Sequence, residues 1–170
     1  MKTQNGRLIY VMGPSGAGKD SVLVYARDHL PEGQRLIIAH RYITRAPSVS
    51  ESNVYLTTEE FDLREKAGLF AFSWRSNGLR YGIGVEIDLW LKAGFTVVVN
   101  GSREAFPSIV SERPAIEGVL VTADADTLRS RLVARARENE SAIQARLERN
   151  ARLAVAPGIA ASDARVDTLY

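Results

Sequence analysis

The 170-residue sequence contains no cysteine. That excludes disulfides, thiolate zinc sites, iron–sulfur clusters and cysteine nucleophiles together. Only two histidines occur, His29 and His40, and they cannot form an HExxH zinc motif. No apolar run approaches the ~18 residues of a membrane span. The N-terminal apolar stretch Leu8–Met12 is too short for the core of a signal peptide. A soluble, cytoplasmic protein of a reducing compartment is expected, with no membrane partner. Five scattered phenylalanines and a net charge of +2 offer neither a stacking platform nor a basic field for nucleic acid, so no nucleic-acid partner is expected either.

Lysine is also scarce. Of the 22 basic residues only four are Lys and 18 are Arg. Arginine presents a planar fork that grips phosphate or carboxylate with two hydrogen bonds, whereas lysine acts as a point charge. A genome rich in Arg codons would produce the same bias, so the position of each Arg has to decide. The length suits one domain able to bury a sizeable core without staples.

Strand and helix signals alternate along the chain. Arg7–Met12 reads as a buried strand running into a Gly-rich turn, and Lys19–Leu30 as a helix stopped by Pro31 and Gly33. Leu36–Ala39 is a second apolar run, followed by a polar, turn-rich stretch from His40 to Asn53. Val54–Leu56 is a candidate strand. Thr58 reads as the N-cap of a helix over Glu59–Ala67, closed by Gly68. Phe70–Trp74 and Leu79–Ile83 flank Ser76-Asn77-Gly78, a strong hairpin signal. A helix over Val85–Ala93 and a β-branched strand over Phe95–Asn100 follow. Helices over Ser102–Ser111, Asp126–Arg137 and Ala142–Leu153, with a strand at Val119–Thr122, complete the series. Val166–Tyr170 is a candidate final strand. Repeated β-then-α units imply an open parallel sheet with helices on both faces. The section from 40 to 84 interrupts them and is expected to project as a small antiparallel lobe.

Gly13-Pro14-Ser15-Gly16-Ala17-Gly18-Lys19 fits the first seven positions of G-x-x-x-x-G-K-[ST]. Glycines let successive backbone N–H groups point at phosphate oxygens, and the following helix adds its positive end. A strand precedes and a helix follows, as a phosphate loop requires. Lys19 is placed to reach the β- and γ-phosphates of a nucleoside triphosphate. The next position, normally a hydroxyl for magnesium, is Asp20, with Ser21 after it. Either Asp20 or Ser21 is the metal ligand on this reading, since a carboxylate also suits Mg2+.

This loop, together with Ile43-Thr44-Arg45-Ala46-Pro47, Tyr81-Gly82 and the Arg-rich segment 131–147, resembles the guanylate kinase family over nearly the whole chain. The resemblance implies a P-loop NTPase fold of the nucleoside-monophosphate-kinase type. It would be a single domain with its core in 1–39 and 85–130, an acceptor-binding lobe in 40–84 and an Arg-rich lid in 131–147. ATP and Mg2+ are implied as cofactors. Guanylate kinases carry T-T-R-x-P-R, but here Arg45 is kept, Ser48 replaces the second Arg, and Arg41 takes a Ser position. The guanine-reading Glu of F-x-E-W is replaced by Ser73, and a hydroxyl cannot accept both guanine hydrogen bonds as a carboxylate does.

The combination of GPSGAGKDS, His40–Arg45, Tyr81–Leu91 and Val99-Asn100-Gly101-Ser102-Arg103 is similar to one branch, the ribose 1,5-bisphosphate phosphokinases of bacterial phosphonate breakdown. That branch shares the Asp after the loop lysine. The implied reaction converts ATP and ribose 1,5-bisphosphate to ADP and 5-phosphoribosyl 1-diphosphate. The substrate is a small sugar bisphosphate, and the protein would act as a monomer or homodimer. The chain ends short of the last strand and helix that relatives place near the adenine, so a truncated C-terminus is expected.

On this resemblance Lys19, Arg135 and Arg146 are the catalytic candidates, and Arg131 and Arg137 support the nucleotide beside the loop residues 13–21. Residues 129–152 hold seven Arg against Glu138, Glu140 and Glu148, more cation than a salt-bridged face needs. Arg41, Arg45 and Tyr81 are the acceptor candidates, with Ser73 and Glu51 weaker ones. Asn100–Arg103 suits metal or phosphate contact, although a helix cap by Ser102 explains it equally well. His40 reads as a packed loop histidine, and Trp74 and Trp90 as core. A guanylate kinase, or a non-catalytic binding module of the same fold, is the alternative.

Overall fold

The computed structural model describes residues 6–46, 53–134 and 140–152. Ser48, Glu51, Arg135, Arg137 and the candidate strand at Val166–Tyr170 lie outside the described residues.

Four strands, β1 (Leu8–Met12), β2 (Leu36–Ile38), β7 (Thr96–Asn100) and β8 (Glu117–Leu120), form a parallel sheet in the order β2-β7-β1-β8. Leu8 opposes Val97 and Val11 opposes Asn100, so β1 and β7 end level with each other. Side chains alternate across this sheet. Leu8, Tyr10, Met12, Val97 and Val99 join a core with Ile87 of α3 (Glu86–Lys92) and Phe106 and Ile109 of α4 (Phe106–Glu112). Val11 and Val98 face the other way, onto Leu23 of α1 (Lys19–Asp28). Helices therefore cover both faces, and the central strands read as nearly unbroken apolar runs because neither face meets water.

A second sheet has the order β4-β3-β6-β5, from β3 (Arg41–Ile43), β4 (Asn53–Tyr55), β5 (Phe70–Ser76) and β6 (Leu79–Gly84). The β5–β6 hairpin turns at Asn77 and Gly78, with φ of 51° and 73°. Positive φ at both central residues matches the strand twist and suits Asn-Gly. Phe72, Trp74 and Ile83 of this sheet share the core of the first.

Several expectations need correction. The polar stretch 40–53 contains β3, a strand that pairs antiparallel with β6, and β4 runs parallel to β3, so the lobe is mixed. Thr57, not Thr58, caps α2 (Thr58–Lys66), its hydroxyl accepting from the Glu60 N–H at 3.1 Å. α4 starts at Phe106, with Ala105 at its N-cap, later than the expected start at Ser102, whose hydroxyl accepts from the Glu104 N–H in the turn before it. β8 starts two residues before the expected strand, set by its register against β1. His40 is exposed rather than packed. Two further helices, α5 (Ala125–Ala134) and α6 (Glu140–Arg152), pack on each other and are joined by the Arg129–Glu140 ion pair.

Candidate active site

The loop after β1 carries Gly13–Gly18 into α1. Gly13 lies against β8, where any Cβ would sit 2.1 Å from the Val121 carbonyl oxygen. Gly18 is left-handed at φ 94° and caps α1 without a side-chain bond, so no side chain closes off the helix N-terminus. Lys19 Nζ donates to the carbonyls of Gly13 at 2.8 Å and Pro14 at 2.9 Å, holding the ammonium across the loop. The Ala17 N–H bonds back to Pro14 O. Arg131 of α5 donates to Gly16 O at 3.2 Å and so lies over the loop from the other side.

Asp20 and Ser21 separate clearly. Successive helical residues point about 100° apart. Asp20 faces the ends of the central strands and accepts from Asn100 Nδ2 at 2.8 Å, while Ser21 is exposed on the outer side.

The ends of β1 and β7 are held by Tyr10. Its buried hydroxyl donates to Ser102 O at 3.0 Å and accepts from Ser102 N at 2.8 Å. Burial pushes the Tyr10 pKa well up, with the Ser102 bond and the Arg41 charge opposing it. The phenol therefore keeps its proton and can play both roles. This fixes the turn 101–103, from which Arg103 enters a buried contact with α6. Its Nη2 donates to Asn150 Oδ1 at 2.7 Å. Burial first and the Arg149 charge second lower the Arg103 pKa, with Glu104 opposing.

These elements surround a cleft of about 370 Å³. Gly13, Ser15, Gly16, Gly18, Lys19 and Asp20 line one side, Arg41, Arg45, Trp74 and Tyr81 the lobe side, and Arg146, Arg149 and Asn150 a third. Asn100 to Glu104 form the floor. Six cationic side chains meet two acidic ones there, whereas the whole chain carries only +2. The cation excess is concentrated at one place.

Arg41 donates to Asn53 Oδ1 at 3.1 Å and lies 5.2 Å over the Tyr81 ring, which itself stacks on Trp74. Arg45 and Arg146 also reach the cleft. Pro14 and Ala17 support the loop from behind, both buried. Ser73 is placed elsewhere: it donates to Glu65 at 2.6 Å and lines a separate hollow beside α4, because alternation along β5 turns it away from the cleft-lining Trp74. Trp74 is buried core as expected, yet one edge lines the cleft, and Trp90 packs on the same core. Arg149 and Asn150 were not among the expected site residues. The signal for them was the helical spacing Ile143, Arg146, Asn150, which puts buried and cleft-facing positions on one side of α6.

The chemistry of this cleft suits nucleotide phosphates and a divalent ion. An uncapped helix N-terminus, a bridging ammonium and a carboxylate within a cationic pocket are the groups such ligands need. A glycine loop between a parallel strand and a helix, facing a small second sheet and an Arg-bearing helix pair, defines a P-loop kinase.

Known proteins agree. The solved guanylate kinase from Anaplasma phagocytophilum superposes with a TM-score of 0.65, at 13% identity, over 88% of this chain and 71% of that one; the likeness concerns the fold. No protein-family model matches the sequence. A ribose 1,5-bisphosphate phosphokinase PhnN from Burkholderia mallei is 52% identical over 154 residues, 91% of this chain and 83% of that protein. One from Laribacter hongkongensis is 55% identical over 152 residues, 89% of this chain, but the match spans only 37% of that longer protein. The chain belongs to the ribose 1,5-bisphosphate phosphokinase family.

No helix among the described residues is long and apolar enough to cross a membrane.

Proposed function

We propose that this chain transfers the γ-phosphoryl group of ATP to ribose 1,5-bisphosphate, forming ADP and 5-phosphoribosyl 1-diphosphate. The observation that carries this reading is a cleft in which a phosphate loop faces Arg41, Arg45, Arg103, Arg146 and Arg149. Two polyanionic substrates brought together need that charge, and the family relationship names the same acceptor.

The triphosphate lies along residues 13–19, with Lys19 leaving its loop carbonyls to meet the β- and γ-phosphates. Arg131 closes over the loop from α5. Arg41 and Arg45 hold the acceptor's phosphates with paired hydrogen bonds, and the Tyr81 hydroxyl adds a further contact. Arg146, together with Arg135 and Arg137 of the lid sequence, neutralises charge on the transferring group. An oxygen of the acceptor's 1-phosphate attacks the γ-phosphorus. A new P–O bond forms, the bond to the bridging β,γ-oxygen breaks, and that oxygen leaves with ADP. The attacking oxygen is already anionic, so no general base is required, and catalysis reduces to positioning and charge neutralisation. Asp20, which faces the strand ends, would hold the metal ion, and Ser21, exposed on the outer side of α1, would not. A Mg2+ ion held there would supply charge neutralisation to the transferring phosphate. The site of action is the cytoplasm.

An ADP-release assay with ribose 1,5-bisphosphate and with GMP tests the assignment. Higher kcat/KM for the sugar is expected. Faster turnover of GMP overturns it in favour of a guanylate kinase, and absent ATP binding in favour of a non-catalytic module.

A further inference from the structure

P-loop NTPases hold Mg2+ with a hydroxyl on the loop and an Asp at a strand end. In this chain the loop position is Asp20, and the central strand beside β1 ends in Asn100. Asn100 is only 8% exposed. Its Nδ2 donates to Asp20 at 2.8 Å, and its Oδ1 is buried without a hydrogen-bond partner among the described residues. A buried, unsatisfied acceptor costs stability, and its persistence beside the candidate ligand calls for a functional cause.

We propose that the two positions have exchanged parts. Asp20 supplies the charged metal ligand from the loop, and Asn100 is its positioning residue. The Asn100 amide fixes the Asp20 carboxylate through Nδ2 and leaves Oδ1 to accept from a water of the metal's shell. This rests on the reading that the triphosphate occupies the loop. The exchange keeps one negative charge in the site. A carboxylate at both positions would set two like charges at hydrogen-bond distance, and one would take up a proton. A hydroxyl at 20 with an amide at 100 would leave the ion no carboxylate at all. Among the described residues no three His, Cys, Asp or Glu side chains cluster. On this proposal the remaining ligands are phosphate and water oxygens, which is how proteins usually bind Mg2+.

The test measures Mn2+ affinity by paramagnetic resonance in the presence of a non-hydrolysable ATP analogue, with no acceptor. Asp20→Ser should weaken Mn2+ binding at least about tenfold, and Asn100→Ala by about tenfold, the range for residues that orient a ligand. The double variant Asp20→Ser, Asn100→Asp restores the usual arrangement and should return to within about threefold of the parent. Losses that simply add in the double variant overturn the exchange, as does an Asn100→Ala protein with parental Mn2+ affinity. Metal-free melting curves identify any variant that has lost its fold, and the comparison then rests on the remaining variants, the double substitution first. Failure of the parent to bind the analogue overturns the triphosphate reading along with this one. Normal analogue binding without rescue overturns the exchange alone.

Discussion

Arg103 and Asn150 are joined by a buried hydrogen bond of 2.7 Å, with a longer one of 3.4 Å to the Asn150 carbonyl. The first residue leaves the end of β7 and the second belongs to α6. The turn beside the phosphate loop thus grips the helix that carries Arg146 and Arg149 into the cleft. Charged donors make stronger bonds than neutral ones, and this donor is desolvated on both sides.

Arg103→Ala should therefore cost about 2 kcal/mol, since it leaves the Asn150 carboxamide buried without its partner. At this chain length that corresponds to roughly 4–8 °C in melting temperature. Turnover should fall as well, because α6 loses its anchor. Thermal denaturation and steady-state kinetics measure the two effects. An unchanged melting temperature would show that α6 docks without this contact.

Lys19→Ala and Arg45→Ala should separate in kinetics. Removing the loop ammonium takes away charge stabilisation that grows at the transferring group, with an expected loss of about 10²–10³-fold in kcat. Removing Arg45 strips a charged clamp worth about 1.5–3 kcal/mol. The acceptor KM should then rise by about tenfold or more while the ATP KM stays near its parental value. Unchanged acceptor kinetics in Arg45→Ala would remove that residue from the site.

Asp88 pairs with Arg113 at 2.7 Å, beneath which lies the Phe72 ring. The Arg113 hydrogen bond holds the Asp88 carboxyl below its ordinary value of 3.8, burial opposing. A carboxylate with a lowered folded pKa stabilises the fold above its unfolded value, and that contribution fades as pH falls through the lower folded one. Both side chains are partly exposed, so the pair is worth under about 1 kcal/mol. Asp88→Asn should lower the melting temperature slightly at pH 7 and lose that difference in acid below pH 3.8. A difference that persists at low pH would trace the effect to packing instead.

Gly101 touches the Tyr10 ring so closely that a Cβ there would lie 1.9 Å from Cζ. Tyr10 is fully buried between β7, Phe72 and Phe106 and has no room to retreat. Overpacking of this kind costs about 1–3 kcal/mol, so Gly101→Ala should unfold at markedly lower urea. Tyr10→Leu added to it should recover part of the loss. No recovery would place the strain in the backbone of the turn rather than against the ring.

Much of the site was legible where chemistry is local. The phosphate loop is a run of adjacent residues whose glycines and lysine act through their own backbone. The hairpin at Asn77-Gly78 follows from two residues that tolerate positive φ. By contrast β3 lies in a polar stretch with too few apolar residues to show alternation, and it becomes a strand because β6, nearly forty residues away, offers it a partner. Ser73 carries no mark of its direction in the sequence. The pleat of β5 sends it to Glu65 and away from the cleft.

Composition, motif and alternation by themselves determined a phosphate-binding loop on a parallel α/β sheet and an arginine supply suited to phosphorylated substrates, because backbone conformation and apolar periodicity are set by near neighbours. Which guanidinium groups converge, that Asp20 rather than Ser21 turns toward the strand ends, and that Arg103 and Asn150 tie α6 over the floor were decided only on folding. Asp20 and Asn100 alone are 80 positions apart, and only the packing of helix on sheet sets the phase and distance at which such side chains meet.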